Sequence, residues 1–544
     1  MNNAIFSFPQ PGNEPIKAYA PGSPERKELQ AKLVELKSQE IEIPLIIGGK
    51  EIKTGNLGKV TMPSDHGHVL ATYHKAGAKE VNMAIEASLE AHKKWSEMPW
   101  VDRASITLKA AELLATKYRS LINAATMLGQ GKNPFQAEID AACETIDFLR
   151  FNASYASKIY SEQPNSSEGV INRMEYRPLE GFVFTITPFN FTAIAANLNM
   201  APVLMGNVTV WKPATTSIYS NYFLMQIFKE AGLPDGVINF LPGQGSVIGN
   251  EIFAHKDLAG IHFTGSTNTF QRFWKTIGEN ITKYRSYPRI VGETGGKDFI
   301  FAHKSSDAKQ IATAITRGAF EYQGQKCSAA SRAYVPKSLW NDVAEYVRTD
   351  VADFKVGDVT DFTNFMNAVI DEAGFDSITD YIRMAKESSD CEIITGGNSD
   401  KSKGYFVEPT VILTKDPHFV TMEEEIFGPV ITIYVYEDDK FEETLKVCDE
   451  TSPYALTGSI FSQDREQLLV AYNALRYSAG NFYLNDKPTG AVVGQQPFGG
   501  ARGSGTNDKA GSYLNLIRWT NARTIKETLV TPTDYRYPFL GEDK

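Results

Sequence analysis

Residues 181–211 have the sequence GFVFTITPFNFTAIAANLNMAPVLMGNVTVW, which contains no aspartate, glutamate, lysine or arginine. The segment is long enough to cross a bilayer, but two prolines interrupt it and four asparagines would need hydrogen-bond partners in lipid. It therefore predicts two buried strands at residues 182–187 and 208–211, separated by a helix at about 194–204. Uncharged strands of this kind are typical of a parallel sheet that is covered on both faces.

Strands and helices continue to alternate on both sides of this segment. Downstream, the pattern predicts strands at 237–241 and 260–263 and helices at 217–231, 246–254 and 267–279. Upstream, it predicts helices at 78–95, 101–116 and 137–157. From about residue 292, a second run predicts helices at 307–322 and 339–354 and strands at 431–436 and 455–462. Such alternation implies right-handed crossovers, so the chain is expected to form doubly wound α/β sheets.

The composition excludes several classes of protein. The 544-residue chain is 42% hydrophobic and 22% charged, which is ordinary for a folded protein. Its formal net charge of −10 argues against a nucleic-acid partner, because neutralising phosphates requires clustered lysine and arginine. Its four cysteines form no CxxC pair, so a reducing compartment is expected. Neither a secretory signal nor an Arg-rich transit peptide is visible, which predicts a cytoplasmic location.

The motif GQKCS at residues 324–328 contains the sharpest candidate for a reactive side chain. Cys327 follows a flexible glycine and stands beside Lys326, whose charge would favour a thiolate. The alternative is a buried structural cysteine, which is the commoner role of a lone cysteine.

Two further motifs place polar groups at predicted strand ends. In VGETGGK, Glu293 lies among glycines that would let a ligand approach the backbone closely. In TPFNF, Asn190 is an amide in apolar surroundings and must form hydrogen bonds. The alternatives are a solvated loop carboxylate for Glu293 and a turn asparagine for Asn190. Together with Cys327, these residues suit one chemistry, with a nucleophile, a base and an oxyanion donor.

The motif FTGS at residues 263–266 ends a predicted strand and begins a predicted helix. Backbone N–H groups at such a helix start favour an anion, for example a cofactor phosphate. The signal is weaker than a full dinucleotide-binding fingerprint, and plain turn chemistry is the alternative.

Other catalytic motifs are missing from the sequence. It contains no GxxxxGK[ST], GxSxG or HExxH, which argues against a P-loop enzyme, an elbow-type serine hydrolase and a zinc protease. The nearest metal candidate is formed by Asp65, His68 and His74, which lack recognisable ligand spacing. We interpret these residues as a polar surface turn and predict no metal.

The order of seven motifs is similar to that in the aldehyde dehydrogenase family. The motifs are TPFNF, WKP, FTGS, GETGGK, GQKCS, EEIFGP and NFYLND, and the resemblance extends from about residue 45 to 528. It implies two doubly wound α/β domains, one for the cofactor and one for catalysis, plus a small β oligomerisation element. It also implies NAD-dependent oxidation of an aldehyde through a thiohemiacetal and a thioester on Cys327.

The segment 494–508, GQQPFGGARGSGTND, narrows the resemblance. It is similar to the branch of the family that oxidises L-glutamate γ-semialdehyde to L-glutamate, the second step of proline degradation. Two alternatives remain. One is a dehydrogenase of another acidic semialdehyde, such as succinate semialdehyde, and the other is a catalytically silent scaffold on the same fold.

The resemblance also implies residue roles. Cys327 would attack the aldehyde, Asn190 would stabilise the oxyanion, and Glu293 would activate the water that releases the acid. The implied cofactor-binding residues are Thr187, Lys212, Gly265, Ser266, Glu425 and Phe427. The implied substrate-binding residues are Phe191, Ser328, Gly490, Ala491 and Phe498. Of these, the two phenylalanines would flank the methylene chain and the other three would hold the α-carboxylate.

The cofactor and partners follow from the same resemblance. Many NAD-specific relatives carry a glutamate three residues after the position of Lys212, where this chain has Thr215. A carboxylate there would repel the 2′-phosphate of NADP, so NAD is expected with NADP as a weaker cofactor. A small-molecule substrate is expected, with no nucleic-acid or membrane partner. A homodimer or higher homo-oligomer is implied, and proline dehydrogenase is a candidate partner.

The implied domains divide the chain into three parts. Residues 1–292 would contain a surface arm of about 30 residues, a helical segment and the NAD-binding domain, with an oligomerisation hairpin near 158–178. Residues 293–514 would form the catalytic domain, and 515–544 a C-terminal oligomerisation segment. Within that segment, residues 524–530 are predicted as an interface strand, with a frayed terminus as the alternative.

Overall fold

The computed structural model describes residues 6–542. Its first sheet has seven strands, which follow each other in space in the order Arg289–Glu293, Leu258–Thr264, Phe182–Ile186, Thr209–Lys212, Ile238–Phe240, Leu45–Ile47 and Lys50–Ile52. The first five are parallel to one another and the last two pair antiparallel. The helices of this half are Pro24–Lys37, Ala78–Trp95, Trp100–Ala115, Arg119–Gln130, Pro134–Ala137, Thr145–Ser161, Thr192–Leu204, Ile218–Ala231, Gly245–Ala254 and Thr267–Asn280.

The uncharged segment forms the predicted strand, helix and strand in the middle of this sheet. The helix Thr192–Leu204 is buried along almost its whole length. Its asparagines have partners inside the protein, since Asn152 donates to Asn197 Oδ1 at 2.9 Å and the hydroxyl of Thr185 donates to Asn199 Oδ1 at 2.6 Å. A segment can therefore be uncharged, buried and rich in asparagine without entering lipid.

The second sheet also has seven strands, in the order Cys391–Thr395, Thr410–Thr414, Val430–Tyr436, Ala330–Pro336, Asp298–Ala302, Thr457–Phe461 and Asn481–Leu484. Only the first pair is antiparallel. Its helices are Ala308–Phe320, Lys337–Asp353, Glu372–Glu387, Val420–Glu423, Phe441–Glu450 and Arg465–Ala474. The predicted pair of doubly wound sheets is confirmed. The chain leaves the first sheet at Glu293 and enters the second at Asp298, so the motif GETGGK connects the two.

Four smaller sheets lie outside these two layers. One joins Ile41–Ile43, Asp65–His74 and Leu57–Met62, and two others pair Ser399–Asp400 with Phe406–Val407 and Tyr454–Ala455 with Ala501–Arg502. The fourth pairs Val170–Arg177 with Asn521–Thr528. The interpretation of Asp65, His68 and His74 as a surface turn is wrong, because they lie along a ten-residue strand.

A two-stranded ribbon replaces the predicted hairpin near 158–178. The first residues of the predicted range, up to Ser161, belong to the helix Thr145–Ser161. The strand Val170–Arg177 pairs antiparallel with Asn521–Thr528, which lies near the C-terminus. The hairpin prediction is wrong because the partner strand is distant in sequence, and no local pattern reveals such a pairing. The frayed-terminus alternative is also wrong, since a tail strand exists close to the predicted 524–530.

Two other predictions differ from the structure in detail. The predicted helix 137–157 is a short α-helix, a π-helical stretch Glu138–Glu144 and the helix Thr145–Ser161. The predicted surface arm ends earlier than expected, because the helix Pro24–Lys37 begins within it. Ser23 caps that helix by accepting a hydrogen bond from the N–H of Arg26 at 3.3 Å, a Ser-Pro start signal that the sequence contains. Within residues 6–542, no helix is long and apolar enough to cross a membrane.

Candidate active site

A cavity of about 410 Å³ lies where loops of the two sheets meet. Its lining includes many of the side chains singled out from the sequence, namely Cys327, Glu293, Phe191, Ser328, Gly490, Ala491 and Phe498. These residues come from distant parts of the chain and are brought together because the loops at the ends of parallel strands converge.

Cys327 lies at the end of a turn with an unusual backbone. Tyr322, Gln323 and Gly324 have φ angles of 53°, 55° and 66°, a left-handed region that costs energy for the first two. The turn is held from the first half of the chain, since the hydroxyl of Tyr322 donates to the carbonyl of Gln130 at 2.9 Å. The position of the candidate nucleophile is therefore fixed by contacts between the two halves.

The electrostatic surroundings of Cys327 differ from the prediction. Burial, followed by the carboxylates of Asp298 and Glu425, raises the pKa of the Cys327 thiol well above its usual range. Lys326 is buried and its ammonium bonds Glu321 at 3.2 Å, so its charge is already paired. The expectation that Lys326 favours a thiolate is therefore wrong for this state, in which the thiol keeps its proton.

Glu293 ends the strand Arg289–Glu293 and lines the same cavity. Its Oε2 accepts a hydrogen bond from the N–H of Gly500 at 2.8 Å. Burial raises its pKa well above the ordinary carboxyl value, and the bond from Gly500 only partly opposes this shift. A Cβ atom on Gly499 would lie 3.2 Å from Oε1 of Glu293, which explains a glycine at that position. Glu293 is therefore a partly buried carboxyl group in the cavity wall rather than a solvated loop carboxylate.

Asn190 is buried, and its Nδ2 donates to the carbonyl of Gln325 at 3.0 Å. The turn-asparagine alternative is wrong, because this partner belongs to the loop of Cys327. One of the two hydrogens on Nδ2 remains uncommitted in the described part of the chain. The side chain lies beside the nucleophile loop but does not belong to the described cavity lining.

Four of the predicted cofactor-binding residues lie at the carboxyl ends of neighbouring strands. Lys212 ends its strand opposite Ile186, and Thr187 is the residue after Ile186 on the neighbouring strand. The indole N–H of Trp211 donates to the hydroxyl of Thr187 at 2.9 Å. Burial lowers the pKa of Lys212 to about 8. Gly265 and Ser266 stand between the strand Leu258–Thr264 and the helix Thr267–Asn280. The Ser266 hydroxyl accepts a hydrogen bond from the N–H of Thr269, so the N–H groups of Thr267 and Asn268 are the ones available to an anion.

The other two predicted cofactor-binding residues follow the short helix Val420–Glu423. Oε1 of Glu425 accepts a hydrogen bond from the N–H of Gly296 at 2.9 Å, and burial raises its pKa to about 7. Phe427 has a φ of 57° and packs edge-on against Phe189, with ring centroids 5.7 Å apart. A bulky residue in the left-handed region is strained, and such strain is concentrated at functional sites.

All five predicted substrate-binding residues line the cavity, whereas none of the six predicted cofactor-binding residues belongs to its described lining. The hydroxyls of Ser328 and Thr489 lie 2.8 Å apart, which joins the nucleophile loop to the segment that carries Gly490 and Ala491. Gly490 has a φ of 95°, where glycine is favoured. Phe498 bridges to Ala510 through backbone hydrogen bonds.

Sequence reasoning missed two buried ionisable residues near this cavity. The ammonium of Lys132 bonds Oδ2 of Asp140 at 2.7 Å and lies 3.9 Å from the centroid of the Phe191 ring. Glu144 lines the cavity, and burial raises its pKa to about 8. Lys132 lies in the short segment between two helices, and Glu144 lies among other acidic residues of a predicted helix, where a solvated face is the ordinary interpretation. The sequence therefore holds no signal that could have found them.

Comparisons with known proteins agree with this arrangement. A sequence model of the aldehyde dehydrogenase family matches residues 52–525. The mitochondrial Δ1-pyrroline-5-carboxylate dehydrogenase of Dictyostelium discoideum is 56% identical over 99% of this chain and 97% of its own length. The human enzyme of that name is 48% identical over 97% of this chain and 94% of its own length. The crystal structure of the Mycobacterium tuberculosis enzyme bound with NAD has a TM-score of 0.96 and 49% identity, covering 99% of this chain and 100% of that one.

Proposed function

Because the chain belongs to the aldehyde dehydrogenase family, we propose that it oxidises L-glutamate γ-semialdehyde to L-glutamate with NAD. In water this aldehyde is in equilibrium with Δ1-pyrroline-5-carboxylate, the compound in the names of the relatives. One observation carries the proposal. A single cavity is lined by a nucleophile, a protonatable carboxyl group and the loop of Gly490 and Ala491, whose backbone can hold a carboxylate.

The first step is the attack of Cys327 on the aldehyde carbon. The sulfur forms a bond to that carbon, the C=O bond becomes a C–O bond, and the thiol proton passes to solvent water. The negative oxygen of the thiohemiacetal is stabilised by the uncommitted N–H of the Asn190 amide and by the backbone N–H of Cys327. Asn190 can do this because its other N–H is anchored on Gln325.

The residues at the strand ends fit a dinucleotide cofactor. Lys212 has no side-chain hydrogen bond to any residue between 6 and 542. After Ser266, the N–H of Thr269 is bonded to the Ser266 hydroxyl, which leaves the N–H groups of Thr267 and Asn268 for a phosphate. Thr187, Lys212, Gly265, Ser266, Glu425 and Phe427 would hold NAD. When bound, NAD would supply a hydride acceptor for the oxidation of the thiohemiacetal carbon to a thioester on Cys327.

Glu293 acts in the last step. As a carboxylate it accepts a proton from water, whose oxygen attacks the thioester carbon. The C–S bond then breaks, L-glutamate leaves, and the proton held by Glu293 passes to the sulfur of Cys327, which restores both the thiol and the carboxylate. The raised pKa of Glu293 suits this task, since a base with a pKa closer to neutral takes a proton more readily than an ordinary carboxylate.

Substrate choice depends on the two charges at the far end of the semialdehyde. The N–H groups of Gly490 and Ala491 and the hydroxyl of Ser328 bind the α-carboxylate, and Phe191 and Phe498 flank the methylene chain. Glu144 lines the same cavity and can accept hydrogen bonds from the α-ammonium group.

Acetaldehyde is therefore expected to be a poor substrate. It lacks the carboxylate and the methylene chain, and we expect its kcat/KM to be ~10²–10⁴-fold lower than that of glutamate γ-semialdehyde. The absorbance of NADH on mixing enzyme, NAD and aldehyde measures both values. Equal efficiencies would contradict the carboxylate-binding loop but not the family.

Two rival functions are separated by the same measurement. Succinate semialdehyde keeps a carboxylate but lacks the ammonium group and the carbon that carries it, so higher efficiency with it would overturn the proposed substrate. A chain that makes no NADH from any aldehyde would be a silent scaffold, although Cys327, Glu293 and Asn190 are all intact.

NADP is expected to support measurable turnover. Thr215 is exposed in the turn directly after the strand Thr209–Lys212, so no carboxylate at this position repels a 2′-phosphate. We expect a preference for NAD of roughly 1–3 kcal/mol, or about 5- to 150-fold in kcat/KM. Steady-state rates with each cofactor test this, and Thr215→Glu should widen the preference. No reaction at saturating NADP would show that another group excludes it.

The assembly, compartment and pathway partner belong to the same proposal. The exposed ribbon of Val170–Arg177 and Asn521–Thr528 supports a homodimer or higher oligomer, because such a ribbon leaves strand edges free for a second copy. Proline dehydrogenase is proposed as a partner, because it would supply the precursor of the substrate. The sequence favours the cytoplasm, whereas the names of the Dictyostelium and human relatives refer to mitochondria.

A further inference from the structure

The extended N-terminal segment of residues 13–19, called the N-terminal arm below, forms part of the cavity wall. Asn13, Glu14 and Ile16 belong to the cavity lining together with Cys327 and Glu293. The wall of the candidate substrate site is therefore not built only from loops of the two sheets. None of the motifs in the sequence assigns a role to this segment.

Asn13 connects two elements that both contribute residues to the cavity lining. Its Nδ2 donates to Oδ2 of Asp147 and to the carbonyl of Val493, each at 2.8 Å. Its Oδ1 accepts a hydrogen bond from Nε2 of Gln495, also at 2.8 Å. One amide thus uses both of its N–H groups and its oxygen to join the helix Thr145–Ser161 to the loop of residues 490–496.

Carboxylates of the first half hold the N-terminal arm in place. The N–H of Glu14 donates to Oδ1 of Asp147 at 2.7 Å, and the N–H of Lys17 and the hydroxyl of Tyr19 each donate to Glu138 at 2.8 Å. The carboxylate of Glu14 pairs with Arg119. The N-terminal arm is therefore an ordered wall with its own anchors rather than a loose surface segment.

The loop of residues 490–496 needs such a support. It contains two glycines with positive φ, Gly490 at 95° and Gly494 at 81°, and glycine backbones are the freest to move. Asn13 bonds this loop at Val493 and Gln495, next to Gly490 and Ala491. A shift of these two residues changes the distance between their N–H groups and a bound carboxylate.

We infer that Asn13 is a positioning residue for substrate specificity, which holds the N–H groups of Gly490 and Ala491 where they bind the substrate carboxylate. This inference rests on the proposed function. It implies that the N-terminal arm strengthens the binding of aldehydes that have a carboxylate at the far end. The arm should have little influence on the chemistry at Cys327.

The test is the variant Asn13→Ala. We expect KM for glutamate γ-semialdehyde to rise ~10-fold with little change in kcat, because the loop loses the hydrogen bond that Val493 accepts from Asn13 and the one that Gln495 donates to it. The kcat/KM for propionaldehyde, which has no carboxylate, should change far less. Asn82→Ala is a matched control, since Asn82 is exposed and bonds Ala78 and Glu251 away from the cavity.

A second variant separates positioning from loss of folding. Gln495→Ala removes the partner of Asn13 on the loop side and should raise KM for the semialdehyde in the same way, and the double variant should add little to either single change. An unchanged KM in Asn13→Ala would overturn the inference. So would equal losses with both aldehydes accompanied by a lower Tm, since the N-terminal arm would then be a structural element only. If the wild-type protein itself does not prefer the semialdehyde, the proposed function has failed instead.

Discussion

Cys327→Ala is expected to abolish formation of NADH from glutamate γ-semialdehyde, with a loss of at least ~10⁴-fold in kcat. Without the sulfur no thiohemiacetal can form, and no hydride can leave the aldehyde carbon. Absorbance of NADH measures the rate, and mass spectrometry of the quenched wild-type enzyme measures the acyl adduct on Cys327. Binding of NAD should persist in the variant, because the predicted cofactor-binding residues lie on other loops.

Cys391→Ala is a matched control for this variant. Cys391 is partly exposed, its sulfur bonds the hydroxyl of Thr414, and it does not belong to the described cavity lining. We expect its activity to equal that of the wild type. If Cys327→Ala kept its steady-state rate, or if the adduct formed on Cys143, which also lines the cavity, the assignment of the nucleophile would be wrong.

The central strands and their helices were predictable from local sequence. The predicted strand 182–187 is Phe182–Ile186, and the predicted helix 78–95 is Ala78–Trp95. These elements are either buried on both faces or strongly amphipathic, so composition and periodicity mark them without knowledge of their neighbours. Seven motifs in family order then indicated two doubly wound sheets.

Elements that depend on distant partners could not be predicted in this way. The strand Val170–Arg177 pairs with Asn521–Thr528, and nothing near either segment identifies the other. The roles of Lys132 and Asn13 could not be predicted for the same reason. The role of a single lysine or asparagine depends on the residues that the fold places in contact with it. Such contacts are set by tertiary structure rather than by spacing along the chain.

The pKa of the candidate nucleophile could not be predicted from the sequence either. Lys326 is adjacent to Cys327 in sequence, which suggested a stabilised thiolate. In the fold Lys326 bonds Glu321, and burial together with Asp298 and Glu425 raises the pKa of the thiol. The types and order of residues therefore predicted which side chains lie together. The direction of each pKa shift depends on burial and on all the charges nearby, and it could be obtained only from the structure.

Glu293→Gln is expected to separate the two halves of the reaction. If Glu293 activates the water, hydride transfer from the thiohemiacetal still occurs and only hydrolysis of the thioester slows, by ~10²–10⁴-fold or ~3–5 kcal/mol. Rapid mixing should show a burst of NADH near one equivalent per site, followed by a slow steady state. Mass spectrometry should find the acyl group on Cys327, whereas Cys327→Ala should show neither burst nor adduct.

The pH dependence of the steady-state rate is a second test of the role of Glu293. Burial raises the pKa of Glu293, so its carboxylate form is scarce at low pH and grows as the pH rises beyond the ordinary carboxyl range. The steady-state rate of the wild type should rise with it, and the slow phase of Glu293→Gln should not. Glu437→Gln, a change at an exposed residue paired with Lys337, should behave as wild type.

A full steady-state rate in Glu293→Gln would mean that another group activates the water. Loss of the burst itself would mean that Glu293 is needed before hydride transfer, where its carboxylate would take the proton from the thiol of Cys327.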